Sequence, residues 1–291
     1  KINNIIYKET LFCSVKECFF SYGRGGEKAM IRLIVSDLDG TLLKNGAQVL
    51  PEGFIELVKK VREMGIGFAV ASGRQYQNIR RLFAGVEDDI YYIAENGAYC
   101  RMGDQVIFRG NIEEKLVGEI IEELKKYPDL LCLISKEECA YIEGKREDFI
   151  VLIKDVIKND IKVVEDLEQV EGPCLKIAAC DFSGKDKYFP MFRDKYKDRI
   201  HVVTSGNMWF DFVPSGVNKG IGLEKMLEVL GMTADECMAF GDERNDLELL
   251  ATAGRSYAMD TASDEVKAAA DHVTGSVQAV IEHGLENDFL F

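Results

Sequence analysis

The sequence has too few basic residues to balance its acidic ones. Its 291 residues include 36 lysines and arginines against 50 aspartates and glutamates, which gives a formal net charge of −14. An acidic protein repels nucleic acids and anionic membrane surfaces at long range. The composition therefore argues against nucleic-acid binding. A small anionic substrate is still compatible with this negative charge, because a metal ion and a few local donors can make the electrostatic potential inside one cleft positive.

Cysteine pairs and long apolar runs are also missing. The eight cysteines form no Cys-x-x-Cys pair, and none of them stands at zinc-ligand spacing from a histidine. We therefore expect free thiols in a reducing cytoplasm. No apolar run approaches the roughly 20 residues that a membrane-spanning helix needs, so we expect no membrane association. The sequence has no internal repeat or low-complexity tract, and none of its features points to a protein partner.

Residues 1–29 have no clear pattern. The stretch from Leu11 to Phe20 is partly apolar, but Lys16 and Glu17 interrupt it and no small-residue cleavage site follows. Met30 opens the first strongly patterned segment and is a candidate translation start. Residues 1–29 are then a leader without an assigned function, either an artefact of the gene start or of cloning, or a poorly ordered arm.

From Met30 the sequence alternates between strand and helix patterns. Ile31–Ser36 is an apolar run with one arginine, typical of a strand buried on both faces of a parallel sheet. The alternation returns after Pro214, where Lys219–Leu230 has helical spacing and Gly231 suits a helix end. Together the two stretches predict a doubly wound α/β domain with a mostly parallel sheet. Further strands are predicted at 66–71, 91–94, 237–240, 256–259 and 272–274, with a hairpin at 98–109 and a first helix beginning at Pro51.

The pattern changes between residues 112 and 213. A predicted helix over 112–127 precedes two runs, 130–135 and 139–142, that indicate an antiparallel strand pair. Further helices are predicted over 146–158 and 186–196, among four more strands. This order predicts an α+β module with one sheet and helices on one face. We therefore divide the chain into a core, residues 30–111 and 214–291, and an inserted cap, residues 112–213.

Four polar clusters lie at the ends of predicted core strands or at nearby helix starts, where α/β sheets bind ligands. The first is Asp37-Leu38-Asp39-Gly40-Thr41, directly after the first strand. Two unpaired carboxylates at a buried strand end are unfavourable, and a bound cation would offset that cost. A solvated turn is the simpler alternative, but the buried strand before the run disfavours it.

The second and third clusters offer groups that bind phosphate. Ser72-Gly73-Arg74 stands at a predicted helix start, where a hydroxyl and backbone N–H groups suit a phosphate. The simpler alternative makes Ser72 an ordinary N-cap. Lys219, in the third cluster, also begins a helix, where a lysine is unfavourable for the helix dipole. That cost suggests a role such as holding phosphate, although a solvated lysine explains the position equally well.

The fourth cluster is Gly241-Asp242-Glu243-Arg244-Asn245-Asp246, after another short apolar strand. Asp242 and Asp246 are one helical turn apart, so we expect them on one face of a helix. Oxygen-rich clusters of this type bind Mg²⁺, which takes a few carboxylates, several waters and substrate phosphate oxygens. The alternative is that the acids only favour the helix dipole.

Together and in this order, the clusters resemble the four motifs of the haloacid dehalogenase superfamily. The large insertion and the run Glu95-Asn96-Gly97-Ala98 are similar to its Cof-type branch, which has a type IIB cap. The resemblance extends from Met30 to about the C-terminus. The matching motif residues are Asp37 and Asp39, Ser72, Lys219, and Asp242 with Asp246.

The resemblance implies a magnesium-dependent phosphatase that acts on small phosphate monoesters, such as sugar phosphates or phosphorylated cofactors. It implies that Asp37 is the nucleophile and forms an aspartyl-phosphate. It implies that Asp39 protonates the leaving alcohol and then activates water. The implied metal ligands are Asp37, Asp39 through its backbone carbonyl, and Asp242, with Asp246 supporting them. The implied phosphate-binding residues are Leu38, Ser72, Gly73, Lys219 and Asn245.

Two departures and two alternatives accompany this resemblance. Met259-Asp260-Thr261-Ala262 stands where the branch commonly has Met-Gly-Asn-Ala, and Leu249 stands where methionine is frequent. A phosphomutase of the same superfamily stays open, and so does a non-catalytic sugar-phosphate-binding protein. The complete set of motif residues argues against the non-catalytic binding protein.

The cap is predicted to be a mobile lid with hinges near 110–112 and 213–216.

Overall fold

The computed structural model of the protein describes residues 30–204 and 207–290. The predicted leader, residues 1–29, lies outside this range together with Cys13 and Cys18. The other six cysteines are free thiols, as expected. Within the described residues, no helix combines the length and the apolar character that a bilayer crossing requires.

The described residues form one eight-stranded and one six-stranded sheet. The strands are β1 (Leu33–Ser36), β2 (Gly67–Ala71), β3 (Tyr91–Ala94), β4 (Tyr99–Met102), β5 (Gln105–Arg109), β6 (Leu131–Ser135), β7 (Ala140–Glu143), β8 (Ile161–Val164), β9 (Lys176–Cys180), β10 (His201–Thr204), β11 (Trp209–Val213), β12 (Cys237–Gly241), β13 (Arg255–Met259) and β14 (His272–Thr274). The α-helices are α1 (Phe54–Glu63), α2 (Tyr76–Leu82), α3 (Glu114–Leu124), α4 (Glu147–Val151), α5 (Phe189–Tyr196), α6 (Lys219–Leu230), α7 (Leu247–Thr252), α8 (Asp264–Ala269) and α9 (Val277–Glu286).

The eight-stranded sheet has the order β14-β13-β12-β1-β2-β3-β4-β5. Its strands pair in parallel from β14 to β3, whereas β4 pairs antiparallel with both β3 and β5. Successive side chains of β1 enter different cores. Ile34 packs with Phe54 of α1 on one face, and Val35 packs with Leu223 of α6 on the other. Helices on both faces confirm the predicted doubly wound α/β fold with a mostly parallel sheet.

The six-stranded sheet has the order β10-β11-β9-β6-β7-β8 and is antiparallel except for the β7–β8 pair. Helices α3 and α5 pack on one face through residues such as Ile120 and Phe192. Helix α4 packs on the opposite face, where Phe149 contacts the same core as Leu133 and Ala178. The expectation of helices on a single face was therefore wrong. The apolar positions of α4 were visible in the sequence, but the face they would cover was not.

The two sheets draw on different parts of the chain. Every strand of the eight-stranded sheet falls within residues 30–111 and 214–291, and every strand of the six-stranded sheet falls within 112–213. The division into a core and a cap as separate domains stays a prediction. We use core and cap below for these two ranges.

Local boundaries differ from the sequence predictions at three places. The first helix begins at Phe54 rather than Pro51, after a turn in which Gly53 has φ of +77°. Helix α2 begins at Tyr76, so Ser72 is not its N-cap. The helix predicted over 146–158 is α-helical only in α4 and continues as a π-helix over Leu152–Val156. Such single π-turns are often found near functional sites.

Candidate active site

Two adjacent strands bring the first and fourth clusters together. Strand β1 pairs in parallel with β12, and the backbone N–H of Asp37 donates to the carbonyl of Phe240 at 3.0 Å. Asp37 and Asp242 therefore leave the sheet side by side at its carboxyl edge. The Thr41 hydroxyl donates to the Asp242 carboxylate at 2.6 Å. Gly40, with φ of +91°, passes so close that a Cβ there would lie 2.0 Å from an Asp242 oxygen.

The third cluster reaches the same point through Lys219. Its ammonium lies 2.6 Å from a carboxylate oxygen of Asp37 and 2.6 Å from one of Asp246. All three side chains are buried, and that of Lys219 is only 1% exposed. The Asn218 side chain caps α6 by accepting from the N–H of Ile221 at 2.8 Å. Lys219 is thus a paired, buried cation, which excludes the alternative of a solvated lysine.

Asp246 supports the acidic loop rather than sharing a helix face with Asp242. One carboxylate oxygen of Asp246 accepts from the backbone N–H groups of Asp242 and Glu243, each at 3.0 Å. Helix α7 begins only at Leu247, so Asp242 precedes it. The expectation that both acids lie on one helical face was wrong because the chain turns before α7 begins. The turn still brings the two acids together.

The site concentrates negative charge. Burial raises the pKa of Asp37 well above its ordinary range, although nearby Lys219 opposes the rise. Burial also raises the pKa of Asp242. Burial would lower the pKa of Lys219, but the two carboxylates that it contacts raise it instead. Ligand oxygens of Asp37, Asp242 and Asp246 lie within 4.8 Å of one another, so these residues could hold a metal ion.

The second cluster lies beside these acids on the loop after β2. Ser72 is buried, and its hydroxyl accepts from the N–H of Arg74 at 3.2 Å. The Gly73 backbone passes close to Asn96, whose side-chain oxygen accepts from Asn245 at 3.0 Å. The side chain of Leu38 is fully buried in the core. The roles of Ser72, Gly73, Asn245 and Leu38 in phosphate binding remain predictions.

Asp39 is held by an arginine that the sequence did not assign. The Arg74 guanidinium donates to both carboxylate oxygens of Asp39, at 2.6 and 2.7 Å. The Asp39 side chain is half exposed, and its carboxylate is not among the three that could hold a metal. Any contribution of Asp39 to a metal site would come from its backbone carbonyl, as the resemblance implies.

A left-handed turn after β3 joins the second and third clusters. Glu95, Asn96 and Gly97 have φ of +51°, +56° and +95°. Non-glycine residues in this conformation cost about 1 kcal/mol or more each and concentrate at functional sites. A Cβ on Gly97 would lie 2.1 Å from the carbonyl oxygen of Asn218, so glycine is required there. The turn holds Asn96 against Asn245 and turns Glu95 toward the cap.

A cavity of about 750 Å³ lies between the core and the cap. The core side includes residues of the first, second and fourth clusters. The cap side is built by β6, β9, β10 and β11 together with residues in and just after the π-helix. Lys176 of the cap crosses the gap. Its ammonium lies 2.7 Å from Glu95 and 3.5 Å from Asp211, and it donates to the carbonyl of Gly73 at 3.1 Å.

A sequence model of the haloacid dehalogenase-like hydrolase family matches residues 34–282. The chain belongs to this family. It is 28% identical over 250 residues to the 5-amino-6-(5-phospho-D-ribitylamino)uracil phosphatase YbjI of Escherichia coli (strain K12), which covers 84% of this chain and 91% of that protein. It is 23% identical over 246 residues to the HMP-PP phosphatase of Shigella flexneri, which covers 84% and 89%.

Solved structures share the fold of this haloacid dehalogenase-like hydrolase. The structure of TM0651 from Thermotoga maritima matches with a TM-score of 0.77 at 26% identity, over 87% of this chain and 97% of that one. The subclass IIB sugar phosphatase BT4131 matches with a TM-score of 0.73 at 23% identity, over 87% and 99%. The resemblance to the haloacid dehalogenase superfamily is thus confirmed, and the fold is that of a subclass IIB sugar phosphatase.

Sequence reasoning missed several residues of the hydrolase's site. Arg74 and Asn96 stood in runs that were singled out, but their side chains were given no role. Lys176 had a usable signal, because it is the only charged residue in the otherwise apolar run Leu175–Cys180. Among the described residues, Asp260 and Thr261 of the atypical loop do not line the cavity.

Proposed function

We propose that this hydrolase is a magnesium-dependent phosphatase of small phosphate monoesters that works through an aspartyl-phosphate on Asp37. The observation that carries the proposal is the contact of buried Lys219 with Asp37 and Asp246, since Asp37 also lines the cavity together with Asp242. A carboxylate nucleophile, a fixed cation and acidic metal ligands are what phosphoryl transfer needs. The relatives named as phosphatases support the same activity.

The acidic residues fit a magnesium ion. Asp37, Asp242 and Asp246 offer only oxygen donors, which Mg²⁺ prefers. Three carboxylates against the single ammonium of Lys219 leave an excess of negative charge that a divalent cation would offset. Asp37, Asp242 and the carbonyl of Asp39 would hold the ion, with Asp246 fixing the loop. A bound ion would neutralise charge on the phosphoryl oxygens.

In the first half-reaction, a carboxylate oxygen of Asp37 attacks phosphorus while the bond from phosphorus to the ester oxygen breaks. The leaving oxygen takes a proton from the carboxylic acid of Asp39 and departs as the alcohol. Arg74 donates to both carboxylate oxygens of Asp39 and so fixes the orientation of this side chain.

In the second half-reaction, Asp39 is a carboxylate and accepts a proton from water. The water oxygen attacks phosphorus, the bond from phosphorus to Asp37 breaks, and inorganic phosphate and the Asp37 carboxylate are released. Asp39 leaves this step protonated, ready for the next ester. The two steps balance without any further reactant.

The phosphoryl oxygens are held by Lys219, Ser72, Asn245 and the backbone of Gly73 and Leu38. Such donors act strongly because they are fixed before the reaction in a site that excludes water. The cap acts as a lid over these groups. Opening near residues 110–112 and 213–216 would admit substrate, and closing would bring the cap wall onto the leaving group.

The test is phosphate release from a panel of phosphorylated metabolites, with Mg²⁺ and with EDTA. We expect release with Mg²⁺ and none with EDTA. Asp37→Asn should lower release by at least about a thousandfold, because it removes the nucleophile. The matched control is Asp104→Asn, an exposed aspartate in the β4–β5 turn, which should keep wild-type activity.

Three results would contradict the proposal. Full phosphate release by Asp37→Asn would disprove the nucleophile. Conversion of a sugar phosphate to its isomer without phosphate release would instead indicate a phosphomutase. Binding of phosphate esters without any turnover would indicate a binding protein.

A further inference from the structure

Helix α2 of the core contacts the cap directly. Its residue Gln77 donates from the side-chain amide to the backbone carbonyl of Glu137 at 3.1 Å. The amide nitrogen of Asn78, the next residue, lies 2.6 Å from the carbonyl oxygen of Ile157 and 3.3 Å from the side-chain oxygen of Asn159. Ile157 and Asn159 follow the π-helix of the cap. Two neighbouring side chains of α2 therefore bind two separate segments of the cap.

Asn78 also contacts the residue that holds Asp39. The side-chain oxygen of Asn78 accepts from Nη1 of Arg74 at 3.0 Å, and Nη1 also donates to Gln48 at 3.1 Å. The Nε and Nη2 groups of Arg74 donate to the two carboxylate oxygens of Asp39. Four of the five N–H groups of Arg74 therefore have an acceptor. The contacts of Arg74 are thus those of a residue that fixes its neighbours.

The orientation of the Asn78 amide is determined at both ends. A guanidinium has only donors, so the atom of Asn78 that faces Arg74 has to be the oxygen. A backbone carbonyl has only an acceptor, so the atom that faces Ile157 has to be the nitrogen. Asn78 is only 4% exposed, so water does not readily replace either partner. Contact with the cap therefore fixes the same amide that supports Arg74.

We propose that Asn78 is a positioning residue that couples contact between cap and core to the orientation of Asp39 through Arg74. With the cap in place, Ile157 fixes the Asn78 amide and this amide fixes Arg74. Arg74 then holds the Asp39 carboxylate in one orientation. With the cap lifted, the Asn78 amide loses both cap partners and can turn, so Arg74 loses one of its supports. In terms of the proposed phosphatase function, on which this inference rests, the acid is best oriented when the cap covers a bound ester.

The first experiment compares Asn78→Ala with the wild type on two esters, by kcat/KM for phosphate release with Mg²⁺. This parameter reports on the first half-reaction, in which Asp39 protonates the leaving oxygen. The alkyl leaving group of glycerol 3-phosphate needs this proton, whereas that of 4-nitrophenyl phosphate does not. Asn78→Ala should lower kcat/KM by about fivefold for glycerol 3-phosphate and by less than about twofold for 4-nitrophenyl phosphate. Because both esters are measured on one preparation, any loss of folded protein affects them equally.

The matched control is Gln77→Ala. It removes a hydrogen bond from the same helix to the cap backbone, and none of the hydrogen bonds of Gln77 within the described residues reaches Arg74. We therefore expect Gln77→Ala to keep the wild-type ratio of the two esters. An equal loss of both esters in Asn78→Ala would mean that Asn78, like Gln77, only joins the cap to the core, and would overturn the inference.

A double variant tests the route through Arg74. Arg74→Gln alone should lower kcat/KM for glycerol 3-phosphate by about tenfold. Adding Asn78→Ala should lower it by less than about twofold more, because the Asn78 amide then has no guanidinium to support. A further fivefold loss would mean that Asn78 acts independently of Arg74 and would overturn the inference.

Backbone hydrogen exchange separates the coupling from the chemistry. Arg74 joins Asp39 to Gln48 on the chain segment after β1, so the loss of its support should loosen that segment. We expect amide exchange over residues 38–48 to be about threefold faster or more in Asn78→Ala, and unchanged in Gln77→Ala. That result together with no phosphate release by the wild type would overturn the phosphatase and leave the coupling standing. Phosphate release without a change in exchange or in the ratio of the two esters would overturn the coupling and leave the phosphatase.

Discussion

Two buried lysines of this protein make similar contacts in different places. Lys219 lies between Asp37 and Asp246 within the core, and Lys176 lies between Glu95 of the core and Asp211 of the cap. In both cases burial alone would lower the pKa of the lysine, and the two carboxylates raise it instead. Each lysine is therefore a fixed positive charge at any ordinary pH.

The difference between them lies in what their partners do. The partners of Lys219 include the proposed nucleophile and a residue that holds the acidic loop through its backbone. Those of Lys176 contact none of the three acids that could hold a metal, but they join the cap to the turn after β3. The same arrangement of charges thus belongs to the proposed catalytic site in one place and to the junction of core and cap in the other.

The largest expected effect is on the rate. Lys219→Met should lower kcat by about 10²- to 10³-fold, because it removes a fixed charge from the transferring phosphoryl group. Lys176→Met should lower kcat by less than about tenfold, because its ammonium acts on the cap junction rather than on the phosphoryl group. Steady-state phosphate release measures kcat for both variants. Equal losses would mean that the two lysines do not differ in their effect on the reaction.

The next effect is on stability. Lys176→Met leaves Glu95 and Asp211 buried without their cation, so the free energy of unfolding should fall by about 3–5 kcal/mol. Adding Glu95→Gln to that variant should restore about 1–2 kcal/mol, because a neutral amide replaces the unpaired charge. Urea titration followed by circular dichroism measures both changes.

The control for that prediction is Lys187→Met. Lys187 is an exposed cap lysine that pairs with exposed Asp129 at 2.8 Å. Its loss should change the unfolding free energy by less than about 1 kcal/mol. If Lys176→Met also changed the unfolding free energy by less than about 1 kcal/mol, its buried contacts would contribute little to the stability of the junction between core and cap.

Magnesium binding should distinguish the acids around Lys219 from those around Lys176 without any activity measurement. At a hundredfold excess over its Kd, Mg²⁺ should raise the free energy of unfolding by about 2.7 kcal/mol and the melting temperature with it. Asp242→Asn should lose most of this shift. Asp211→Asn, which also removes a carboxylate that lines the cavity, should keep it. A shift lost in both variants would mean that the ion does not bind at the core cluster.

The same two lysines show what the sequence could predict. Lys219 was singled out because it begins a helix where a lysine is unfavourable, but only the resemblance to the family's motifs gave it a role. A parallel sheet brings the carboxyl ends of its strands to one edge, so the order of the motifs predicted a common site. The fold class and the acids Asp37, Asp242 and Asp246 were predicted in the same way. The turn that places Asp242 before α7, rather than on a helix with Asp246, was not predicted.

Lys176 could not be assigned in this way. Its partners lie on a cap strand and on a left-handed turn, and only the packing of the cap over the core brings them together. No spacing in the chain encodes that packing. The face covered by α4 was missed for the same reason, since periodicity marks an apolar side but not the surface that it meets. Arg74 was overlooked because its contact is with Asp39, on the loop of another strand.

The smallest expected effect comes from Arg74, which joins the second cluster to the proposed acid. The Asp39 carboxylate of this pair is half exposed, so Arg74→Gln should change the free energy of unfolding by less than about 1 kcal/mol. The variant should slow release from glycerol 3-phosphate by about tenfold, because Asp39 is no longer held near the leaving oxygen. It should leave 4-nitrophenyl phosphate nearly unaffected, since that leaving group departs without a proton. Arg74→Lys, which keeps the charge but not the two-point contact, should recover part of the rate. An equal loss with both esters would mean that Arg74 acts on the phosphoryl group rather than through Asp39.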